Sequence, residues 1–256
     1  MLLITGDTYD YDLNVMYNSE QAEVLKLVAK ESKVLPSKFS YPEKVEGATG
    51  GVINGIPFII GGYSRNTRTE SYECRKLTSE GWQTFAQLTK RRSGAASVVL
   101  QDNQIWVTGG KQKPSNGWQK ASILTSTEII DMETKESTTG PALPTKLAGH
   151  AMAKLNENKT LIIGGYGSQG GEAYKKCWIY DQYSFEFTPG PEMIDARAWF
   201  GWGIFSSSLH DGRQCLLVAG GKSSGNDLSS GEILDFTQTN ATWNKSNGLS
   251  IYSLFI

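Results

Sequence analysis

Histidine is nearly missing from this chain. Only His150 and His210 occur in 256 residues, which leaves little for acid–base relays or metal ligation, both of which lean on imidazole. Cysteine is almost as sparse. Cys74, Cys177 and Cys215 make an odd number, and no two have zinc-ligand spacing. They indicate neither a disulfide framework nor a redox compartment. Net charge is missing too: 25 Lys and Arg against 26 Asp and Glu leave −1. A balance so close to zero argues against nucleic acid as a partner and against attraction to anionic membranes. No apolar run approaches the ~18 residues of a membrane span. The opening Met1-Leu2-Leu3-Ile4-Thr5 is too short for a signal-peptide core and lacks a basic leader. The protein is therefore cytoplasmic, or an upstream segment is missing. No P-loop or His-Glu-x-x-His box occurs. These deficits point to a protein that is not an enzyme and holds no cofactor or metal.

Glycine is in excess. There are 28, about 11% of the chain against a usual ~7%. Many glycines in an apolar, aromatic-bearing chain suggest short strands joined by many turns, hence an all-β fold.

The glycines recur in register. A short apolar strand ending in a glycine pair appears as Phe58-Ile59-Ile60-Gly61-Gly62, Trp106-Val107-Thr108-Gly109-Gly110, Leu161-Ile162-Ile163-Gly164-Gly165 and Leu217-Val218-Ala219-Gly220-Gly221. A weaker copy, Leu2-Leu3-Ile4-Thr5-Gly6-Asp7, opens the chain. The first glycines are spaced by 55, 48, 55 and 56 residues. Upstream of the four later copies lie another apolar strand and a turn at Asn54-Gly55, Asp102-Asn103, Asn156-Glu157-Asn158 or Asp211-Gly212, the chemistry of a tight hairpin. A third strand aligns as Glu23–Leu27, Glu73–Leu77, Glu128–Met132, Lys176–Tyr180 and Glu232–Phe236. Its second residue follows the glycine pair by 12 residues in three copies. This alignment puts Cys74 and Cys177 in an apolar column with Val24, Ile129 and Ile233, and so predicts buried thiols. Cys215 lies in a core-like strand. A fourth strand carries Trp82, Phe185 or Phe187, and Trp243, with no aromatic in the third copy. The repeats run roughly 1–45, 46–90, 91–145, 146–195 and 196–256, within a single domain.

A glycine-pair strand, then a tyrosine-like position and a tryptophan, at a period near 50, resembles the kelch repeat. The stretches Tyr41–Gly51 and Trp106–Gly110 are most similar to extracellular kelch domains of invertebrates. The resemblance implies a kelch-type β-propeller of four-stranded antiparallel blades. About five repeats are present. Ser250–Ile256 either supplies the innermost strand missing from the first repeat, closing five blades, or begins the sixth blade of a longer chain. Galactose oxidase shares the architecture and uses copper with two histidines, two tyrosines and a Cys–Tyr cross-link. Here the two histidines fall at unrelated positions, a buried inner strand for His150 and a turn for His210, so copper chemistry is not expected.

Function on such a scaffold sits on its loops. Tyr63, Lys111, Tyr166 and Lys222 follow the glycine pairs, and Arg65, Arg68 and Trp118 extend the same loops. Arg91, Arg92, Lys146 and Arg197 lie in the connections that enter the next repeat. In a propeller both sets emerge on one face, as a rim of residue types common at interfaces. The expected role is a monomeric, non-enzymatic module that captures a protein or peptide, acidic in character, without inserting into membrane. The alternatives are an ordinary solvated rim and an extracellular carbohydrate-binding or adhesion domain that stacks sugars on Tyr63, Trp118 and Tyr166. The resemblance favours an extracellular location. Triplets of the glycosylation type begin at Asn158, Asn240 and Asn244.

Overall fold

In Gln104-Ile105-Trp106-Val107-Thr108 every second side chain turns to the same side, as a strand requires. Ile105 and Val107 enter one hydrophobic cluster and Trp106 another, and all three are fully buried. This two-sided burial recurs through a computed structural model of the chain. The structure describes residues 37–101, 103–114, 121–168, 170–207 and 212–246, and the strand segments 2–4, 7–10, 15–18, 23–26 and 31–34.

The chain is all-β. Among the described residues the one helical element is a 3-10 turn at Ser37–Phe39. The first sheet pairs β1 (Leu2–Ile4), β4 (Glu23–Lys26) and β5 (Glu31–Val34), with a hairpin of β2 (Asp7–Asp10) and β3 (Val15–Asn18) between its first two strands. A small sheet joins β6 (Val45–Glu46), β9 (Tyr63–Ser64) and β10 (Thr69–Glu70). Four antiparallel sheets of four strands follow, each in simple up-and-down order. The second sheet contains β7 (Thr49–Ile53), β8 (Ile56–Ile60), β11 (Glu73–Thr78) and β12 (Gly81–Gln87). The third contains β13 (Ala96–Val99), β14 (Gln104–Thr108), β17 (Thr127–Asp131) and β18 (Ser137–Thr139), with a hairpin of β15 (Lys111–Gln112) and β16 (Ser122–Ile123) inserted. The fourth contains β19 (Ala151–Lys154), β20 (Lys159–Ile163), β21 (Cys177–Asp181) and β22 (Glu186–Pro189). The fifth contains β23 (Gly201–Ser207), β24 (Arg213–Ala219), β27 (Gly231–Leu234) and β28 (Trp243–Lys245), with an inserted hairpin of β25 (Lys222–Ser223) and β26 (Asn226–Asp227).

Among the described residues the core is three slabs, one between each successive pair of these four-stranded sheets. Phe58, Ile60 and Cys74 of the second sheet meet Ile105, Val107 and Ile130 of the third. Ala96 and Trp106 of the third meet Met152, Ile162 and Tyr180 of the fourth. Leu161, Ile163 and Cys177 of the fourth meet Leu216, Val218 and Trp243 of the fifth. Where β18 offers only Ser and Thr, Trp106 fills the gap from β14: its ring centroid lies 4.7 Å from Tyr180 and 6.3 Å from Phe187. Trp82 and Trp243 are pinned through their indole N–H groups, which donate to the carbonyls of Phe39 and Pro191.

The glycine pairs join the sheets. Gly61 and Gly62, Gly109 and Gly110, Gly164 and Gly165, and Gly220 and Gly221 all have positive φ, a conformation open mainly to glycine. The second amide of each of the first three pairs donates to the connection entering the next sheet, on Arg92, Leu147 and Arg197 respectively. A Cβ on Gly61, Gly109 or Gly164 would strike those same carbonyls at 2.3–2.6 Å.

One expectation is corrected and one open choice is decided. Pairing of Ile60 with Cys74, Thr108 with Thr127, Ile163 with Cys177 and Ala219 with Gly231 puts Thr127 and Gly231, not Ile129 and Ile233, in the cysteine column. The inserted hairpins differ in length, so the count of 12 from the glycine pair overshoots by two residues in the fifth sheet, and the alignment of the third sheet is displaced by the same two. Phe187, not Phe185, is the fourth-strand aromatic; Phe185 sits in the preceding turn, 75% exposed, with φ of 60°. The Asn156–Asn158 turn is held by a side chain, with Asn156 Oδ1 accepting from the amides of Asn158 and Lys159. Cys74, Cys177 and Cys215 are buried and free. Trp118, His210, Asp102, Asp211 and the tail Ser250–Ile256 lie outside the described residues.

Candidate functional site

The connections into the second, third, fourth and fifth sheets each end in a residue with φ near +60°. These are Gly47, Gly94, Gly149 and Trp199. Their backbones form a chain of hydrogen bonds across four sheets. Gly94 N–H donates to Gly47 O at 2.7 Å, Gly149 N–H to Gly94 O at 2.8 Å, and Trp199 N–H to Gly149 O at 2.8 Å. The strands that start just beyond, β7, β13, β19 and β23, pack side by side in that order.

Trp199 is the exception in this column. A bulky aromatic at positive φ is an outlier. Its indole occupies the space that the glycines leave: a Cβ on Gly94 would lie 2.4 Å from Trp199 Cη2, and one on Gly149 2.9 Å from Trp199 Cδ2. The residue stays 41% exposed. Tyr166 lies beside it, ring centroids 6.0 Å apart, and Lys111 Nζ sits 5.7 Å from the indole centroid. Together with Gly47, Thr49, Ser97, His150 and Trp202, Trp199 lines an open depression of about 380 Å³. No charged side chain among the described residues lines it. Thr49 and Ser97 hydrogen-bond through their hydroxyls at 2.9 Å.

His150 is neutral here. Burial, then the charge of Arg92, pushes its pKa down to about 3. The Thr108 hydroxyl donates to Met152 Sδ, so it accepts from His150 Nε2–H at 2.7 Å. Nδ1 is left as a buried acceptor without a partner.

The residues after the glycine pairs all face these connections. Tyr63 pairs with Glu46, Lys111 with Ser93, Tyr166 with Ala148 and Lys222 with Ala198. The structure thus brings Tyr63, Lys111, Tyr166 and Lys222 to one end of the sheets. Lys113 joins them, its Nζ 4.6 Å from the Tyr63 ring centroid and donating to the hydroxyl. Arg91 is exposed, lies over Tyr72 and donates to Thr69 Oγ1. Arg68 and Lys146 are exposed. Arg65 and Lys222 are engaged by Glu46 and Asp227, so the rim is less basic than its composition suggests. Lys111, Lys113, Arg91 and Lys146 have no ion-pair partner among the described residues.

Arg92 and Arg197 are not rim residues. Both are fully buried. Arg92 donates to Glu128 Oε1 at 2.6 Å and to the carbonyls of Gly109 and Ser126; Arg197 donates to Glu232 Oε1 at 2.7 Å and to the carbonyls of Gly220 and Ser230. Each carboxylate also accepts from backbone amides of the incoming connection, Glu128 from Thr89 and Lys90, Glu232 from Ile194 and Asp195. Although burial opposes ionisation, the amide of Thr89 and the guanidinium of Arg92 hold the Glu128 carboxyl below the usual range. These arginines are braces that shape the connections. A guanidinium can be buried only if its donors are met, and here the fold meets most of them.

Sequence reasoning overlooked Trp199. The signal was available in the column Gly47, Gly94, Gly149, Trp199, three residues without side chains and one with the largest. Among the described residues no group of three or more His, Cys, Asp or Glu side chains is placed to hold a metal ion. No known protein-family model matches the chain, and no curated protein matches it.

Proposed function

We propose that this chain is a kelch-type β-propeller whose repeats are its blades, and that it works as a non-enzymatic protein-binding module. The chain of hydrogen bonds Gly47–Gly94–Gly149–Trp199 supports the propeller reading, because it threads the innermost strands of successive sheets as an axis would. The binding reading rests on one observation: a strained, part-exposed tryptophan at that axis is flanked by Tyr166 and Lys111. Backbone strain at an exposed aromatic is the kind of cost that functional sites retain. The partner is an acidic segment of a protein. Its carboxylates meet Lys111, Lys113, Arg91 and Lys146, and its apolar parts cover Trp199 and Tyr166.

An array of synthetic peptides, Asp/Glu-rich against neutral sequences, tests the reading beside a glycan array. Acidic peptides are expected to bind, with affinity falling as salt rises and falling again in K111E and R91E. Indifference to both charge reversals, or binding of oligosaccharides alone, contradicts it.

A further inference from the structure

The three glycosylation-type triplets differ in what the fold does with them. Asn244 lies in β28 paired with Ile233, and its Nδ2 donates to the Thr242 carbonyl at 3.1 Å. Asn240 is in a turn at φ 66° with no exposed large hydrophobic residue among its described neighbours in that turn. Asn158 is exposed at the tip of the β19–β20 hairpin, and its side-chain amide has no hydrogen-bond partner among the described residues. Asn156 holds the turn, which leaves the Asn158 side chain free.

Beside this tip lies the β21–β22 turn, whose Gln182 N–H donates to the Asn158 carbonyl at 2.7 Å. That turn carries Tyr183 and Phe185, 87% and 75% exposed, the most exposed large hydrophobic residues among those described. Asn158 and Tyr183 line one shallow depression with Lys159 and Asp181. Two exposed aromatic side chains, two residues apart in one turn, offer an apolar surface to a covering group. A pyranose suits it, because its C–H face packs on an aromatic face while its acetamido edge stays polar.

We infer that Asn158 is an N-glycosylation site whose first N-acetylglucosamine lies over Tyr183. The Asn158 Nδ2 forms a bond to the anomeric carbon of an oligosaccharide carried on a lipid diphosphate. The carbon–oxygen bond to the diphosphate breaks, the lipid diphosphate leaves with the electron pair, and one amide proton is lost to base. The hairpin tips that carry Asn158 and Tyr183 are at the opposite end of the strands from Trp199, so the glycan leaves that site open.

Glycopeptide mass spectrometry of the protein recovered from the cells that make it reads the occupancy directly. Asn158 is expected to carry an N-acetylhexosamine core that a peptide-N-glycosidase removes, leaving Asp, and N158Q is expected to lack it. Enzymatic removal should lower Tm by about 2 °C or more in the wild type and have no effect on Tm in Y183S/F185S. An unmodified Asn158 in the native protein, or a glycan whose removal leaves the wild-type Tm unchanged, overturns the inference.

Discussion

Arg92 and Glu128 form an ion pair shut off from water, Nη2 to Oε1 at 2.6 Å, with side chains 0% and 3% exposed. The Arg92 carbonyl also accepts the Gly62 amide of the preceding sheet. One residue therefore ties two sheets together. Removing one partner strands the other as a buried charge. R92A and E128A should each cost about 3–5 kcal/mol, and the double variant should cost less than their sum. Urea denaturation of the three variants checks this; additive losses would show that the pair is not coupled.

Acid should destabilise the fold before the carboxylates titrate. His150 falls from 6.5 to about 3 on folding. Between those values the unfolded chain binds a proton that the folded chain refuses, so stability falls as pH falls through that window. From pH 7 to 5 this one residue accounts for about 2 kcal/mol. Glu128, held low in the fold, loses its contribution further down, below the ordinary carboxylate range. H150Q should flatten the change in urea midpoint between pH 7 and 5; an unchanged slope contradicts the assignment.

The thiols should be silent in the native state. Burial pushes Cys177 up to about 12 and Cys74 and Cys215 upward as well, and it is the thiolate that reacts. A bulky maleimide should label none of the three in folded protein and all three in denaturant. Fast native labelling of Cys74 or Cys177 would place them nearer the surface.

At Trp199, glycine and alanine should part company. Both remove the indole, but only glycine relieves the left-handed backbone. W199G should be more stable than W199A by about 1 kcal/mol, while both lose acidic-peptide binding. Equal stability of the two variants would mean that the φ of 59° carries no strain.

The strands and the glycine pairs were legible in the sequence because both are local. Alternation shows over five residues, and a pair such as Gly61-Gly62 is visible wherever the chain must accept a positive φ. The register of the third strand was not, because the insertions β9–β10, β15–β16 and β25–β26 differ in length and nothing local counts them. Arg92 and Arg197 looked like surface residues because arginine is seldom buried; the carboxylates that make burial possible lie 36 and 35 residues downstream. Trp199 was missed for a related reason. Its meaning comes only from its column, where Gly47, Gly94 and Gly149 make room for it.

Hydroxyl-radical footprinting with a saturating acidic peptide tests the central claim most directly. Trp199, Tyr166 and Tyr183 are all at least partly accessible, but Trp199 and Tyr166 sit together at one end of the strands and Tyr183 at the other. The account predicts protection of Trp199 and Tyr166 with no change at Tyr183 or Phe185. Protection at Tyr183 and Phe185 with Trp199 still oxidised at its free rate would contradict it.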